Sequence, residues 1–364
     1  MKNKQLDILF VHANAQDILY QGLSLDFSAR EPNIWAGLLA GHVQSRGFSA
    51  AILDCEVLNM SWKQSVAKIN EINARIVCFV CTGANPNAST QSMTGNIGTA
   101  KLLKRIHHEI KTLFVGPHVS ALPLDVLAEH CVDFICQNEG VYTISDLLQV
   151  DDLEDVSLLS KVKGLGFKNE GLVLNEINPI VPMDRLEIDM PRIPWELYPD
   201  LKLYRTSYWH SWTNETQNQP FASLYTSLGC SEKCHFCMIN IQNRTKQGDN
   251  ISAADSNVFR YWKPSHIIKE FDYLAKMGVK NVKIADEMFV LRKDHYVELC
   301  KLLKERNYGF NIWAYARVNT VKEGYLDLMK DAGINWLALG IESADTHVRK
   351  HSVKGLFKDV DIKD

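Results

Sequence analysis

Three cysteines stand close together in the second half of the chain, at Cys230, Cys234 and Cys237, directly after a run of strand-forming residues. Thiolates are the usual protein ligands of iron–sulfur clusters, and three of them suit a [4Fe–4S] cluster in which one iron has no protein ligand. An iron of that kind can bind a small molecule. The CxxxCxxC spacing therefore predicts a catalytic metal site rather than a store of electrons, with these three residues as its metal ligands and catalytic residues.

A structural zinc site and a disulfide framework are two other common uses of clustered cysteines. Structural zinc usually has four ligands, commonly in two separated pairs, whereas only three cysteines cluster here and His235 between them is expected to point elsewhere. Disulfides are typical of secreted proteins, and the first residues lead directly into a strand without the pattern of a signal peptide. These features favour the iron–sulfur interpretation.

The composition indicates a cytoplasmic protein of two domains. Its 364 residues exceed the usual size of one domain, and 46% of them are hydrophobic. No apolar run approaches the roughly 18 residues of a membrane-spanning helix. A net charge of −3 without a basic tract gives nucleic acid little attraction, so a small molecule is the expected substrate. The other cysteines are predicted to be small core residues: Cys55, Cys78, Cys81, Cys131, Cys136 and Cys300.

Residues 1–150 alternate between predicted strands and helices. The strands are 7–12, 50–54, 75–81, 112–115 and 133–136. This rhythm predicts a doubly wound, Rossmann-like parallel sheet, in which ligands bind beyond the carboxyl ends of the strands. The loops at those ends are 12–14, 82–86, 116–118 and 138–140. No GxGxxG motif follows the first strand, so a dinucleotide is not favoured.

Residues 151–220 form a predicted linker between two domains. It contains a predicted β-hairpin at 163–175 and then a segment rich in proline and aromatic residues. We expect this linker to wrap both domains and to line the active site.

Residues 221–364 begin a second series of strands and helices. The predicted strands are 222–227, 281–285, 310–317 and 336–341. Their order predicts the opening of a (β/α) barrel, in which catalytic residues gather at the carboxyl ends of the strands. Polar residues do follow these strands, among them Asp286, Glu287, Arg317, Glu342 and Ser343. Only four strands are present, so the barrel is expected to be truncated after the fourth.

The cysteine motif resembles that of the radical SAM superfamily, in which an aromatic residue, here Phe236, commonly precedes the third cysteine. The resemblance implies that the open iron chelates the amino and carboxylate groups of S-adenosylmethionine. An electron from the cluster would then cleave the sulfonium and release a 5′-deoxyadenosyl radical. A barrel of this superfamily commonly has six strand–helix units, so this chain would hold its first four.

The same resemblance implies contacts with S-adenosylmethionine. Residues after the second strand, Asp286 and Glu287, would meet the amino group. Residues after the third and fourth strands would meet the carboxylate and the ribose: Arg317, Glu342 and Ser343. Arginine suits a carboxylate because its planar fork donates two hydrogen bonds. Phe236 would stack near the adenine. Salt bridges across the barrel mouth, and core packing for Phe236, are the alternatives.

The first 150 residues resemble the cobalamin-binding domain that precedes many radical SAM domains. The resemblance rests on the order of elements, the Gly-Pro-His turn after strand four and the Asn-Glu-Gly turn after strand five. It implies cobalamin contacts by His12, Thr82, Gly83, Gly116, His118, Glu139 and Gly140. Small residues at 83, 84 and 116 would leave room for the corrin. The histidines could instead be hydrogen-bonded loop residues.

One departure from that family concerns the lower face of the cobalt. Many cobalamin domains carry Asp-x-His-x-x-Gly after the first strand, and the histidine ligates cobalt from below. This chain has His12-Ala-Asn-Ala-Gln-Asp-Ile instead. A bound cobalamin is therefore expected to lack that histidine ligand.

Together the resemblances imply a class B, cobalamin-dependent radical SAM methyltransferase acting on a carbon or phosphorus of a small molecule. One S-adenosylmethionine would methylate reduced cobalamin, and a second would supply the radical that activates the substrate. A flavodoxin or ferredoxin is the expected reducing partner. Two alternatives stay open, namely a radical SAM enzyme of ring closure or oxidative rearrangement, and a non-catalytic cobalamin or iron–sulfur sensor.

Overall fold

The structure is a computed structural model that describes residues 5–23, 28–83, 89–206, 219–247, 251–252 and 256–352. These residues pack into two compact units. The first takes its described residues from Met1–Ser28, Pro32–Pro199 and Ile241–Ser256, and the second from Ala29–Glu31, Asp200–Asn240 and Asn257–Asp364. By packing, most of the predicted linker thus belongs to the first unit. The predicted boundaries at 150 and 220 stay predictions.

A seven-stranded sheet forms the centre of the first unit. Its strands are β1 (Leu6–His12), β2 (Ala50–Asp54), β3 (Ala74–Val80), β4 (Lys111–Val115), β5 (Phe134–Cys136), β6 (Leu165–Lys168) and β7 (Leu172–Leu174). They lie in the order β2-β1-β3-β4-β5-β6-β7. The first five are parallel, as predicted, and pair in register from Ile8 opposite Ala50 onwards. The predicted hairpin continues this sheet as the antiparallel strands β6 and β7, with β7 at the edge.

Helices pack against this sheet and bury its central strands. They are α1 (Gln16–Leu19), α2 (Ile34–Ser45), α3 (Trp62–Ile72), α4 (Ser89–Ile106), α5 (Pro117–Ala121), α6 (Pro123–Ala128), α7 (Val141–Leu148), α8 (Val156–Leu159) and α9 (Leu186–Asp189). Alternate residues of β1 and β3 share one apolar cluster with Val66 of α3 and Leu103 of α4. The intervening residues of both strands are also buried. This double burial explains why β3 reads as an almost continuous apolar run.

Local sequence fixes where two of these helices begin. The Asn33 side chain accepts a hydrogen bond from the backbone N–H of Ala36 at the start of α2. Ser61 and Gln64 form a reciprocal capping box at the start of α3. Such caps satisfy N–H groups that have no partner within the helix.

The six cysteines outside the triplet are buried, as predicted.

The second unit is built on four parallel strands. These are β8 (Phe221–Leu224), β11 (Asn281–Ile284), β12 (Asn311–Ala316) and β13 (Ile334–Leu339), and they lie side by side in chain order. Helices α10 (Pro264–Lys276), α11 (Lys293–Arg306) and α12 (Leu326–Asp331) connect them, and α13 (Thr346–His351) follows. Each strand is added next to the previous one, as a (β/α) barrel requires, which confirms the predicted architecture.

The first strand of this series is shorter than predicted. The expected strand 222–227 leaves the sheet after Leu224, and a separate short strand β9 (Ser227–Leu228) pairs antiparallel with β10 (Arg260–Tyr261). The reason is the carboxylate of Asp286, which accepts the backbone N–H of Thr226 at 2.6 Å. A side chain thus takes the place of a neighbouring strand.

In the described part of the chain, no helix has the length and apolar character needed to cross a membrane.

Candidate functional site

The cysteine loop, residues 229–238, follows β9 at the carboxyl end of the second unit's sheet. Cys230 and Cys234 are buried, and Cys237 is partly exposed. Cys230 belongs to a small apolar cluster with Met288, against which Cys237 also packs. The backbone N–H of Cys237 donates to the carbonyl of Cys234 at 3.1 Å, which turns the chain between the last two cysteines. One loop therefore carries all three thiols.

The three thiols suit a cluster by their chemistry. Among the described residues, no group of three or more His, Cys, Asp or Glu side chains is placed to hold a metal ion, so the ligand role stays a prediction. Burial raises the pKa of the Cys230 thiol to about 12. A thiolate there forms only as a metal displaces the proton. The N–H of Glu232 already donates to Cys230 Sγ at 3.4 Å, and bonds of this type tune iron–sulfur clusters.

Asp286, which follows β11, is a buried anchor of the chain just before this loop. Its carboxylate accepts hydrogen bonds from the N–H of Thr226 at 2.6 Å, from Thr226 Oγ1 at 2.5 Å and from Ser227 Oγ at 2.6 Å. Burial raises the pKa of Asp286, and these hydrogen bonds oppose that rise. Both oxygens of Asp286 are therefore engaged within the chain. Its predicted contact with S-adenosylmethionine stays a prediction.

Glu287, the next residue, presents a carboxyl group whose oxygen atoms can accept hydrogen bonds from an ammonium group. Among the described residues, its buried Oε2 atom has no hydrogen-bond partner. Burial raises the pKa of Glu287 well above its usual range, while a hydrogen bond from the backbone of Gly229 lowers it. Glu287 Oε2 is therefore an acceptor beside the cysteine loop to which the amino group of S-adenosylmethionine would donate.

Arg317 comes directly after β12 and is almost completely buried. Its Nη1 atom forms an ion pair with the carboxylate of Glu232, which lies between the first two cysteines. The guanidinium thus does bind a carboxylate, as its chemistry predicts, but the carboxylate belongs to the cysteine loop. The predicted contact with S-adenosylmethionine requires a change of partner and stays a prediction.

The remaining predicted S-adenosylmethionine contacts are less enclosed. Glu342 is exposed and has a φ of +66°, a conformation that is strained for a residue other than glycine. Ser343 is half-buried, and its Oγ accepts the N–H of Asp345 at 3.1 Å. Phe236 is 53% exposed, so it lies outside the core. The predicted contacts of these three residues with S-adenosylmethionine stay predictions.

A buried cation on the second unit's sheet was missed by the sequence analysis. Lys283 of β11 forms an ion pair with Glu31 at 2.8 Å, and its ammonium lies 4.9 Å from the centre of the Trp313 ring. Burial alone would lower the pKa of Lys283, but Glu31 outweighs it and raises the pKa. Ser223 also donates to Glu31. Because Glu31 is 252 positions away in the chain, no local pattern could have indicated the pair.

The predicted cobalamin residues lie at the carboxyl ends of adjacent strands in the first unit. His12 ends β1 and bonds through Nδ1 to Asp54, which ends β2, at 3.1 Å. Burial alone would lower the pKa of His12, but the Asp54 carboxylate outweighs it and raises the pKa to about 9. His12 is therefore an imidazolium near neutral pH. Ligation of cobalt through Nε2 would require loss of that proton, and the absence of a histidine ligand from the lower face stays a prediction.

Polar groups that are partly open to solvent stand at the next two strand ends. Thr82 donates to Asn33 Oδ1 at 2.8 Å, and Gly83 beside it is half-buried. His118 bonds through Nδ1 to Thr90 Oγ1 at 3.0 Å, and burial lowers its pKa. Hydrogen-bonding groups along one edge suit the amide arms of a corrin. Ala84, another predicted position, lies outside the described residues.

The other predicted residues of this edge shape the backbone. Gly116 has a φ of +142°, and a Cβ atom there would lie 2.3 Å from the carbonyl oxygen of Cys81. Gly140 has a φ of +80° and a similar clash with Val115. The buried carboxylate of Glu139 accepts the N–H of Val181, so it acts within the unit. Glycine is therefore required at both turns for the chain's own packing.

Comparison with known proteins gives two family matches, one curated relative and several solved structures. The B12 binding domain matches residues 22–148, and the Radical SAM superfamily matches residues 224–361. An uncharacterized methyltransferase of Pyrococcus horikoshii, PH0819, is 27% identical over 272 residues, which cover 74% of this chain and 53% of the relative. The chain thus spans about half the length of that relative.

Two solved structures share the fold. The radical S-adenosylmethionine methyltransferase TsrM from Kitasatospora setae, with cobalamin and a [4Fe–4S] cluster bound, has a TM-score of 0.66 at 14% identity, covering 95% of this chain and 62% of TsrM. The cobalamin-dependent S-adenosylmethionine radical enzyme OxsB, with aqua-cobalamin and S-adenosylmethionine bound, has a TM-score of 0.68 at 16% identity, covering 99% of this chain and 47% of OxsB.

Proposed function

We propose that this chain acts in methyl transfer to an unreactive carbon or phosphorus of a small molecule. By its B12-binding domain and its radical SAM domain, the chain belongs to the cobalamin-binding radical SAM proteins. The observation that carries the proposal is the loop of three thiols after β9, with the unpaired carboxylate oxygen of Glu287 beside it. The fold and a methyltransferase-named relative support the same reaction class.

In this proposal Cys230, Cys234 and Cys237 hold three irons of a [4Fe–4S] cluster. When bound, the cluster supplies radical chemistry from S-adenosylmethionine, and cobalamin supplies methyl-transfer chemistry. The chain itself positions the ligands. Burial of Cys230 and Cys234 excludes water from their thiolates. A flavodoxin or ferredoxin is the proposed electron donor.

We assign the binding of S-adenosylmethionine to the strand ends of the second unit. Glu287 would accept hydrogen bonds from the ammonium group, and Arg317 would donate to the carboxylate after it leaves Glu232. Glu342 would accept from ribose hydroxyls, with Ser343 next to it, and Phe236 would stack on the adenine. Asp286 contributes indirectly by fixing the chain that leads into the cysteine loop.

Cobalamin binding is assigned to the carboxyl edge of the first unit's sheet. Thr82 and His118 offer hydrogen bonds to amide groups, and Gly83, Gly116, Glu139 and Gly140 shape the backbone around them. His12 stays bound to Asp54 and contributes a positive charge rather than a cobalt ligand. This division of roles predicts a cobalamin without a histidine from the chain on its lower face.

The test is formation of 5′-deoxyadenosine by the anaerobically reconstituted chain, with dithionite as the electron donor. The Cys234→Ala variant should form none, since one of the three iron ligands is lost. The matched control is Cys300→Ala, which removes a buried thiol from α11 and should keep cleavage near that of the unsubstituted chain. Full cleavage by Cys234→Ala would refute the cluster assignment.

A further inference from the structure

We propose that Asn240 and Asn257 are positioning residues that hold the first cysteine of the loop in place. Asn240 is buried, and its side-chain amide contacts both the backbone N–H and the backbone carbonyl of Cys230. Its Oδ1 atom accepts the N–H of Cys230 at 3.0 Å, and its Nδ2 atom donates to the carbonyl of Cys230 at 2.8 Å. One side chain therefore satisfies both backbone groups of the cysteine.

Asn257 extends this arrangement to the next residue. The Nδ2 atom of Asn240 also donates to Asn257 Oδ1 at 2.8 Å, and Asn257 Nδ2 donates to the carbonyl of Ser231 at 3.1 Å. The two amides thus form a chain of hydrogen bonds that engages three backbone groups of two consecutive loop residues. The hydrogen bonds between Asn240 and Cys230 are buried, so breaking either of them would leave a polar group unsatisfied.

The loop needs such support because regular structure ends just before it. β9 stops at Leu228, and Gly229 has a φ of +82°, so the backbone turns away from its strand partner. The N–H and C=O groups of buried Cys230 still require partners. The amide of Asn240 provides the donor and acceptor pair that a neighbouring strand would otherwise provide.

This proposal rests on the proposed cluster site and adds a cause for its retention. If Asn240 fixes the backbone of Cys230, it also fixes the direction of the thiol and the N–H···S bond from Glu232. Loss of the amide should let Cys230 drift, so that iron leaves more readily. The geometry points to residues after the cysteine motif, rather than within it, as determinants of cluster stability.

The experiment compares variants of the full chain after anaerobic reconstitution with iron and sulfide. We measure iron per chain, the rate of iron loss to the chelator bipyridyl, and far-ultraviolet circular dichroism. Asn240→Ala should lose iron about tenfold faster, as is typical when a residue supporting a metal ligand is removed. Asn257→Ala should show a smaller increase. Asn257→Asp keeps the acceptor for Asn240 but loses the donor to Ser231, so its rate should lie between those of Asn257→Ala and the unsubstituted chain.

The matched control is Asn281→Ala, which removes a buried amide at the opposite end of β11 and should leave iron loss unchanged. Equal rates of iron loss for Asn240→Ala, Asn257→Ala and the unsubstituted chain would overturn the inference while leaving the cluster site intact. If Asn240→Ala does not fold, the two Asn257 variants provide the test. Faster iron loss from Asn257→Ala than from Asn257→Asp supports the inference, and equal rates overturn it. An unsubstituted chain that takes up no cluster would instead refute the proposed function.

Discussion

The guanidinium of Arg317 and the carboxylate of Glu232 form an ion pair that joins the end of β12 to the cysteine loop. Arg317 is buried and Glu232 is partly exposed, so the carboxylate is the partner that is more open to solvent. The same guanidinium is proposed to bind the carboxylate of S-adenosylmethionine. Under that proposal, Glu232 competes with the ligand for Arg317, and binding would exchange one carboxylate for another.

Substitution of Glu232 by glutamine should strengthen binding of S-adenosylmethionine. The internal competitor loses its charge, so we expect about a threefold lower Kd by calorimetry on the reconstituted chain, which corresponds to less than 1 kcal/mol. Arg317→Gln should raise the Kd about tenfold or more, since a charged hydrogen bond is lost. The control Glu305→Gln changes an exposed carboxylate on α11 and should have no effect. Weaker binding by Glu232→Gln would contradict this exchange.

Replacement of Asp286 by alanine should loosen the chain that leads into the cysteine loop. Three hydrogen bonds to Thr226 and Ser227 are lost, leaving buried donors without an acceptor. A local cost of about 2 kcal/mol corresponds to roughly thirtyfold faster amide exchange. Hydrogen exchange of peptides that span residues 225–230 measures it. Asp327→Asn, on the exposed face of α12, is the control, and unchanged exchange in Asp286→Ala would refute the anchoring role.

The His12–Asp54 pair should make the stability of the first unit depend on pH. Because the folded-state pKa is raised from 6.5 to about 9, the stabilisation is fully present below about pH 6.5 and is lost as pH rises through about 9. The full effect corresponds to about 3 kcal/mol. Urea unfolding at pH 6, 7.5 and 9 should show this loss, after comparison with His12→Gln, which does not titrate. Glu56 also faces His12 and contributes to the same charge balance. Parallel curves for the two proteins would contradict the assignment.

The buried pair of Lys283 and Glu31 should show strong coupling in a double-mutant cycle. Glu31→Gln leaves a buried ammonium without its counter-charge and should destabilise the chain by about 3–5 kcal/mol. The double variant with Lys283→Met should recover most of that loss, because neither charge remains. Additive effects in denaturant titrations would show that the two residues act independently.

Local patterns predicted the parts of this chain that depend on neighbouring residues. The alternation of apolar strands with helices gave the parallel order of β1 to β5, and the cysteine spacing identified the loop. The strand expected at 222–227 was wrong at its end. The N–H of Thr226 donates to the carboxylate of Asp286, which lies 60 positions away in the sequence, instead of pairing in the sheet. The contacts of Asn240 with Cys230 and of Glu31 with Lys283 were missed for a related reason. Side chains that join distant segments leave no periodic signal in the sequence.

The most direct test of the account is the metal content of the full chain after anaerobic reconstitution with iron, sulfide and hydroxocobalamin. We predict about four irons and one cobalt per chain, with the visible absorption of both groups. The triple variant in which Cys230, Cys234 and Cys237 are alanine should keep the cobalt and lose the iron. An unsubstituted chain that retains neither iron nor cobalt, or a triple variant that still retains a full cluster, would contradict the account.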